Sequence, residues 1–233
     1  MRASIIVFPA TNREKDAAMA LRRASGKEPT LVWHQETTLP PSDLVVLPGG
    51  FAHGDYLRCG AMAARSPIME AVRAHAEAGG AIIGICNGFQ VLTESGLLPG
   101  ALIRNDQLKF ICRPVSIRVE TAESDFTRAY EAGSTVTFPV AHGEGNYVCD
   151  DETLTALENE NRVAFRYVTA QGETSAEGNI NGSRNNIAGI LSKNRRVLGL
   201  MPHPEDATDP LVAGPAGGLD GQPLFKAMAE AFA

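Results

Sequence analysis

Short apolar runs alternate with helix-like segments along the first hundred residues of the chain. Four of these runs are typical of buried strands, and the third ends in a glycine turn: Ser4 to Phe8, Thr30 to Trp33, Leu44 to Gly50 and Ala81 to Ile85. Strands that alternate with helices predict a parallel sheet covered by helices on both faces. We therefore predict an α/β fold with a doubly wound, mainly parallel sheet, whose ligand sites lie beyond the carboxyl ends of the strands.

Helix signals lie between the apolar runs. Thr11 with Glu14 three residues later forms a capping-box pattern and predicts a helix that ends near Gly26. Ser66 followed by Pro67 predicts the N-terminus of a second helix. Such helices provide the crossover connections that parallel strands require.

The middle of the chain is rich in strand-like segments. Five segments have this character: Phe110 to Glu120, Ser134 to His142, Arg162 to Val168, Asn186 to Leu191 and Arg196 to Met201. No polar linker separates them from the first part of the chain, so we predict additional β-strands within a single domain that comprises residues 1–233. A glycine-rich loop from Val212 to Gly221 and a C-terminal helix follow.

Composition and charge exclude several classes of partner. The 233 residues are 44% hydrophobic and carry a formal net charge of −6 without a block of like charge, so we expect neither a nucleic acid nor an anionic membrane as partner. The apolar runs are too short to span a membrane, and no secretory signal follows Met1. The four cysteines form no C-x-x-C pair, so we expect no metal site. These features predict a cytoplasmic protein.

The segment AIIGICNGFQ, from Ala81 to Gln90, places Cys86 where a strand ends and a helix begins. A sharp strand-to-helix turn of this kind holds a nucleophile above the edge of a sheet, and Gly84 and Gly88 permit neighbouring backbone to approach closely. Cys86 is therefore a candidate nucleophile. The alternative is a small buried cysteine in a core strand, which is a common place for free cysteines.

A nucleophilic cysteine requires a base, and His203 is the best candidate among the five histidines. It follows a strand-like run within the motif PHPE, and Glu205 lies two residues further on. A carboxylate at that position can orient the imidazole and stabilise its charged form, as the third member of a triad does. A rigid proline turn with an incidental acidic residue is the alternative interpretation.

Together these motifs resemble the triad-type (class I) glutamine amidotransferases, which have a flavodoxin-like fold. The family pattern G-x-C-x-G-x-Q is present as Gly84, Cys86, Gly88 and Gln90, with a PGG loop before it and an H-P-E motif near the C-terminus. Longer segments are similar to the glutamine-hydrolysing subunits of phosphoribosylformylglycinamidine synthases: GGFAHGDYLR, GICNGFQVLTESGLLPGAL, PVAHGEGNY and GLMPHPE. Ile180 departs from this group, which commonly has proline there.

The resemblance assigns catalytic roles to three residues. Cys86 would attack the side-chain amide carbon of glutamine and form a glutamyl thioester. His203 would protonate the departing ammonia and then activate water for hydrolysis of the thioester. Glu205 would hold His203 in position.

The resemblance also assigns four residues to an oxyanion hole and a substrate pocket. The backbone N–H groups of Gly50 and Asn87 would stabilise the oxyanion. Gln90 would contact the substrate amino acid, and Phe51 would line the same pocket through its backbone. The simpler interpretations are a glutamine on the helix surface and a phenylalanine that only packs.

No nucleotide-binding motif accompanies this site. Neither a phosphate loop nor a dinucleotide fingerprint is present, so we expect no cofactor in this chain. The resemblance implies L-glutamine as substrate, a synthetase subunit that uses ATP and Mg to make formylglycinamidine ribonucleotide in purine biosynthesis, and a small third subunit. The segment His142 to Tyr147 has no assigned role, and a place on the docking face is one hypothesis.

Two other functions are compatible with the sequence. One is a cysteine hydrolase of the DJ-1/protease I type, which shares the parallel sheet and the elbow but usually has histidine directly after the cysteine, where this chain has Asn87. The other is a non-catalytic binding module of the same fold, against which the presence of Cys86, His203 and Glu205 argues. A glutaminase assay distinguishes the amidotransferase from both.

Overall fold

The computed structural model describes residues 1–213 and 218–232. Its strands are β1 (Ala3–Val7), β2 (Thr30–Trp33), β3 (Leu44–Leu47), β4 (Ala81–Ile85), β5 (Ala101–Ile103), β6 (Ile111–Val119), β7 (Thr135–His142), β8 (Asn146–Val148), β9 (Val163–Tyr167), β10 (Ile187–Leu191) and β11 (Val197–Leu200). Its α-helices are α1 (Glu14–Ser25), α2 (Ile68–Glu77), α3 (Asn87–Glu94), α4 (Asp151–Asn159), α5 (Pro210–Ala213) and α6 (Gln222–Ala231).

Nine of the strands form one sheet in the order β2-β1-β3-β4-β11-β10-β9-β6-β7. The first five strands in this order pair in parallel, and the direction of strand progression reverses at β1. Helices α1 and α6 pack against each other, whereas α3 packs on β3, β4 and β11. This is the flavodoxin-like order, in which ligands bind beyond the carboxyl ends of the strands. The predicted doubly wound, mainly parallel sheet is confirmed.

The additional strands from the middle of the chain extend this sheet on one side. β10, β9, β6 and β7 continue it from β11 with antiparallel pairing, and they lie in the segments that the sequence predicts. The sequence analysis does not predict α4 or the separate antiparallel pair of β5 and β8. α4 nevertheless has a recognisable start, because the Asp150 carboxylate accepts a hydrogen bond from the Thr153 N–H at 2.7 Å.

The predicted capping box before α1 is wrong. The helix begins at Glu14, and no side chain caps it. The Thr11 hydroxyl instead accepts a hydrogen bond from the Phe8 N–H at 3.0 Å, and Thr11 forms an isolated bridge with Gly50. Pairing with the loop after β3 therefore overrides the local helix signal. The end of α1 is confirmed at Gly26, whose left-handed φ of 70° suits glycine.

Two glycines allow α3 to lie directly against the parallel strands. A Cβ at Gly88 would overlap the Leu47 carbonyl oxygen at the end of β3, and a Cβ at Gly84 would lie 2.5 Å from the Leu92 side chain. Only the absence of a side chain at both positions permits this approach. The close packing brings the N-terminus of α3 to the carboxyl edge of the strands.

The other helix predictions are confirmed within a few residues. α2 begins at Ile68, directly after Pro67, and α6 closes the chain as expected. Of the predicted glycine-rich loop, residues 214–217 lie outside the described residues. Within residues 1–213 and 218–232, no helix is long and apolar enough to cross a membrane.

Candidate active site

Cys86 lies in the turn between β4 and α3. Its backbone has a φ of 52° and a ψ of −106°, which is a strained conformation for a residue with a side chain. The Cys86 N–H donates to the Leu200 carbonyl on β11 at 2.8 Å, and the Cys86 carbonyl accepts from the N–H groups of Phe89 and Gln90 at 3.0 and 3.2 Å. These bonds to a strand and a helix hold the turn, so the structure places Cys86 in an elbow.

β11 brings His203 to the same edge of the sheet. It pairs in parallel with β4, and Leu200 lies opposite Ile85, so the residues that follow the two strands leave the sheet side by side. The His203 N–H donates to the Pro139 carbonyl on β7 at 2.8 Å, which fixes the backbone at this position. The pairing therefore places His203 beside Cys86.

Glu205 orients His203 and determines its charge. His203 Nδ1 and Glu205 Oε1 are 2.7 Å apart, and both side chains are buried. Burial lowers the pKa of His203, but the Glu205 carboxylate and the Cys86 sulfur outweigh it and hold that pKa well above its ordinary value. His203 is therefore protonated beside Cys86. Its Nε2 is buried and has no hydrogen-bond partner among the described residues, so this proton is available to a reacting group.

The loop after β3 packs against His203 and presents a backbone N–H. A Cβ at Gly49 would lie 2.8 Å from His203 Cε1, so only glycine leaves room for the imidazole. Gly50 has a φ of 153°, and a Cβ there would lie 2.7 Å from the Thr11 Cα. In the bridge between Thr11 and Gly50, the Phe51 N–H donates a hydrogen bond to the Ala10 carbonyl at 3.0 Å. The bridge leaves the Gly50 N–H outside the pairing, as an oxyanion donor requires.

The Asn87 side chain ties this loop to the start of α3. Its Oδ1 accepts a hydrogen bond from the Ala52 N–H at 3.1 Å. Its Nδ2 donates to Gln90 Oε1 at 2.8 Å and to Asp55 Oδ1 at 3.3 Å. The Asn87 N–H lies in the first turn of α3, where backbone N–H groups have no partner within the helix. The two predicted oxyanion donors, Gly50 and Asn87, thus belong to segments that are hydrogen-bonded to each other.

The two residues predicted to bind substrate have different surroundings. Gln90 is buried, and its amide is used within the protein, because Oε1 accepts from Asn87 and Nε2 donates to the Glu144 carbonyl at 2.6 Å. Phe51 is 44% exposed and stacks on Phe110 with 6.4 Å between ring centroids. Gln90 is therefore not a helix-surface residue. Its contact with substrate, like that of the Phe51 backbone, stays a prediction.

The antiparallel strand β7 forms the opposite wall of the site. The Cys86 thiol points to the Ala141 carbonyl, with 3.7 Å between sulfur and oxygen. Three side chains of the segment that follows are buried: His142, Asn146 and Tyr147. These three side chains are not accessible for docking, and the hypothesis that the segment belongs to a docking face stays a prediction. The sequence analysis misses this wall, because no local pattern shows that β7 returns to the cysteine.

The arrangement supports acyl transfer at an amide or ester carbonyl. A thiol in an elbow lies beside a histidine that a carboxylate orients, which is the arrangement of a nucleophile with its base. The N–H groups of Gly50 and Asn87 have no backbone partner among the described residues, and they follow in the neighbouring loop and helix, which is compatible with the predicted oxyanion hole.

Comparisons with known proteins agree with this chemistry. A family model described as the CobB/CobQ-like glutamine amidotransferase domain matches residues 1–228. The phosphoribosylformylglycinamidine synthase subunit PurQ of Rhodospirillum rubrum is 58% identical over 231 residues, which are 99% of this chain and 99% of the relative. The subunit of the same name from Bradyrhizobium diazoefficiens is 55% identical over 231 residues, 99% of this chain and 97% of the relative.

A solved structure shows the same fold over the whole length. In the structure of PurLQS from Thermotoga maritima, one chain is 42% identical to this chain and superimposes with a TM-score of 0.86, covering 100% of this chain and 99% of that chain. The resemblance inferred from the motifs is confirmed. The chain belongs to the CobB/CobQ-like glutamine amidotransferase family, together with the PurQ subunits of phosphoribosylformylglycinamidine synthase.

Proposed function

We propose that this chain hydrolyses L-glutamine to glutamate and ammonia for a synthetase subunit, which uses the ammonia and ATP to convert formylglycinamide ribonucleotide into formylglycinamidine ribonucleotide. The observation that carries the proposal is the alignment of the Cys86 elbow with the Glu205-bound His203 on neighbouring parallel strands. The names of the relatives, which are subunits of phosphoribosylformylglycinamidine synthase, support this choice of substrate and partner.

In the first half of the reaction, Cys86 Sγ attacks the carbonyl carbon of the glutamine side chain. The N–H groups of Gly50 and Asn87 stabilise the oxyanion, and donors of this kind contribute about 3–4 kcal/mol each. His203 Nε2 then gives its proton to the amide nitrogen, and the carbon–nitrogen bond breaks. Ammonia leaves, and a glutamyl thioester remains on Cys86.

In the second half, His203 acts in the opposite direction. Its neutral Nε2 removes a proton from a water molecule, and the hydroxyl oxygen attacks the thioester carbon. The carbon–sulfur bond breaks, glutamate leaves, and the Cys86–His203 pair is restored. Glu205 keeps its hydrogen bond to Nδ1 throughout, so the imidazole stays oriented while its charge changes.

A partner must supply the synthetase step. This chain has no nucleotide-binding motif, so the step that uses ATP and Mg is assigned to the synthetase subunit. The relative from Thermotoga maritima comes from a structure of PurLQS, which supports an assembly with that subunit and a small third subunit. All four cysteines are free, and this favours the reducing cytoplasm as the location.

The test removes the nucleophile. Cys86→Ala should abolish glutamine-dependent synthesis by the complex with the synthetase subunit, whereas synthesis from added ammonia should continue, because ammonia bypasses this site. An electrophilic glutamine analogue such as diazo-oxo-norleucine should label Cys86 in the unmodified chain.

Cys112→Ala is the matched control, because it removes an exposed thiol away from the elbow. It should change neither the labelling nor the activity. Glutamine-dependent synthesis by Cys86→Ala, or labelling of Cys112, would contradict the proposal. A chain that binds the synthetase but hydrolyses no glutamine would instead be a non-catalytic module.

A further inference from the structure

A second buried histidine lies at the site without a role in the steps above. His142 is the last residue of β7 and is 3% exposed. The carbonyl of the residue before it, Ala141, faces Cys86 Sγ at 3.7 Å. Two residues after it, the Glu144 carbonyl accepts a hydrogen bond from Gln90 Nε2 at 2.6 Å. His142 is therefore held between two contacts to the nucleophile and its helix.

The partners of Asn105 determine which nitrogen of His142 carries a proton. Asn105 Nδ2 lies 2.8 Å from the Lys109 carbonyl and 2.9 Å from the His142 carbonyl, so it is the donor end of the amide. Asn105 Oδ1 accepts from the Gly145 N–H at 3.0 Å and lies 3.2 Å from His142 Nδ1. Because this oxygen can only accept, His142 Nδ1 is the donor. His142 Nε2 is then left with a lone pair.

The imidazole of His142 stays neutral. Burial, together with the neighbouring charge of His203, lowers the pKa of His142 to about 4. Its Nε2 is buried and has no hydrogen-bond partner among the described residues. A Cβ at Gly145 would overlap the ring, so the chain has left room for the imidazole at this place. The site thus contains a buried hydrogen-bond acceptor without a donor, and such a group lowers the stability of the folded state.

His142 and His203 offer complementary groups. Each has Nδ1 bound within the protein and a buried Nε2 for which the described part of the chain provides no partner. His203 Nε2 carries a proton, whereas His142 Nε2 carries a lone pair. An amide nitrogen that becomes ammonia needs both groups, because it takes one proton and retains N–H bonds that need an acceptor.

We propose that His142 Nε2 accepts a hydrogen bond from the nitrogen that leaves the glutamine side chain, and so holds the nascent ammonia beside Cys86 and His203. The inference rests on the proposed function. The proton on the leaving nitrogen comes from His203, the bonding pair of the broken carbon–nitrogen bond stays on nitrogen, and His142 gains and loses no proton. Because His142 is neutral and its only N–H faces Asn105, it binds ammonia without converting it to ammonium, which is not a nucleophile.

The experiment compares two variants and two substrates in the complex with the synthetase subunit. His142→Met and His142→Gln introduce side chains of similar length, and both lose the Nδ1–H bond to Asn105, but only glutamine provides an acceptor oxygen near the position of Nε2. Glutamine releases a nitrogen with additional N–H bonds. The γ-methyl ester of glutamate releases methanol, whose single proton comes from His203, so it has no hydrogen left to donate to His142.

We expect His142→Met to lower kcat/KM for glutamine about tenfold, which is the effect of one lost hydrogen bond, and to leave kcat/KM for the ester within about twofold. His142→Gln should restore much of the loss with glutamine. An equal loss with both substrates, or equal activity of the two variants, would overturn the inference. If His142→Met does not fold, the amide-to-ester ratio of His142→Gln decides: a ratio close to that of the unmodified chain supports the inference, and a ratio lowered about tenfold overturns it.

The unmodified chain separates this inference from the proposed function. If it hydrolyses neither substrate in the complex, the proposed function fails. If it hydrolyses both, and the variants do not distinguish amide from ester, only the role of His142 fails.

Discussion

The carboxyl ends of β11 and β7 each bring a buried histidine to the same site, and the two imidazoles carry different charges. His203 and His142 are both nearly inaccessible to solvent. Each ring also lies against a glycine, since a Cβ at Gly49 or at Gly145 would collide with it. The difference lies in the neighbouring groups: His203 has the Glu205 carboxylate at Nδ1 and the Cys86 sulfur nearby, whereas His142 Nδ1 meets the neutral amide of Asn105. Burial alone therefore does not determine the charge of a histidine.

The parallel and antiparallel halves of the sheet also contribute different groups to the site. The parallel half holds Cys86, His203 and the two predicted oxyanion donors at the ends of β3, β4 and β11. The antiparallel half contributes a neutral wall, in which the Ala141 and Glu144 carbonyls accept hydrogen bonds and the His142 imidazole has an unprotonated Nε2. A proton donor and proton acceptors thus face each other across the cysteine.

The largest effect is expected when the charged histidine is removed. His203→Ala eliminates the general acid and base, and such groups contribute about 10²–10⁴-fold to rates. Steady-state glutamate release by the complex should therefore fall about a thousandfold, far more than in any His142 variant. Similar losses for His203→Ala and His142→Met would show that the two histidines share one role.

The second prediction concerns a substitution that gives His203 a neutral amide partner at Nδ1, as His142 has. Glu205→Gln replaces the carboxylate by an amide that still accepts from Nδ1, so the pKa of His203 should fall. We expect a loss of about a hundredfold in kcat/KM. The alkaline limb of the pH–rate profile should also move to lower pH, because His203 then loses its proton earlier. An unchanged alkaline limb would show that Glu205 does not control this charge.

The third prediction is the reciprocal change. Asn105→Asp provides a carboxylate for His142 Nδ1 and should raise the pKa of His142 from about 4 by about 1–3 units. NMR titration of the His142 ring measures the shift directly. The variant also loses the two donor bonds of the Asn105 amide, so its free energy of unfolding should fall by about 1–3 kcal/mol per bond. A pKa that stays near 4 in the folded variant would contradict the argument.

The smallest effect concerns the neighbouring carboxylate, Asp206. Burial and the charge of Glu205 raise its pKa to about 6, although Arg13 lies 3.2 Å away. Between its ordinary pKa and about 6, the folded state binds more protons than the unfolded state, so this group lowers stability as pH rises. Asp206→Asn should therefore be as stable as the unmodified chain at pH 4 and more stable at pH 8, by about 1 kcal/mol or 2–4 °C in Tm. Thermal unfolding at both pH values tests the sign.

Local signals made half of the site predictable. Cys86 follows an apolar run and precedes a helical pattern, and Glu205 lies two residues from His203, so neighbouring residues in the sequence reveal both positions. His142 is different, because the residue that determines which of its ring nitrogens carries the proton, Asn105, lies 37 positions away. The capping-box prediction failed for the same reason, since Thr11 pairs with a distant loop rather than with its own helix.

The order of the strands has a consequence for synthesis on the ribosome. β4 and β11 are neighbours in the sheet, yet about 120 residues separate Cys86 from His203 along the chain, which at about 5–20 residues per second takes roughly 6–24 s to translate. During this interval the nascent chain has its thiol and β3 beside β4, but it has neither its base nor β11, the second neighbour of β4. A growing chain therefore consumes no glutamine, and hydrolysis begins only when translation of the subunit is almost complete.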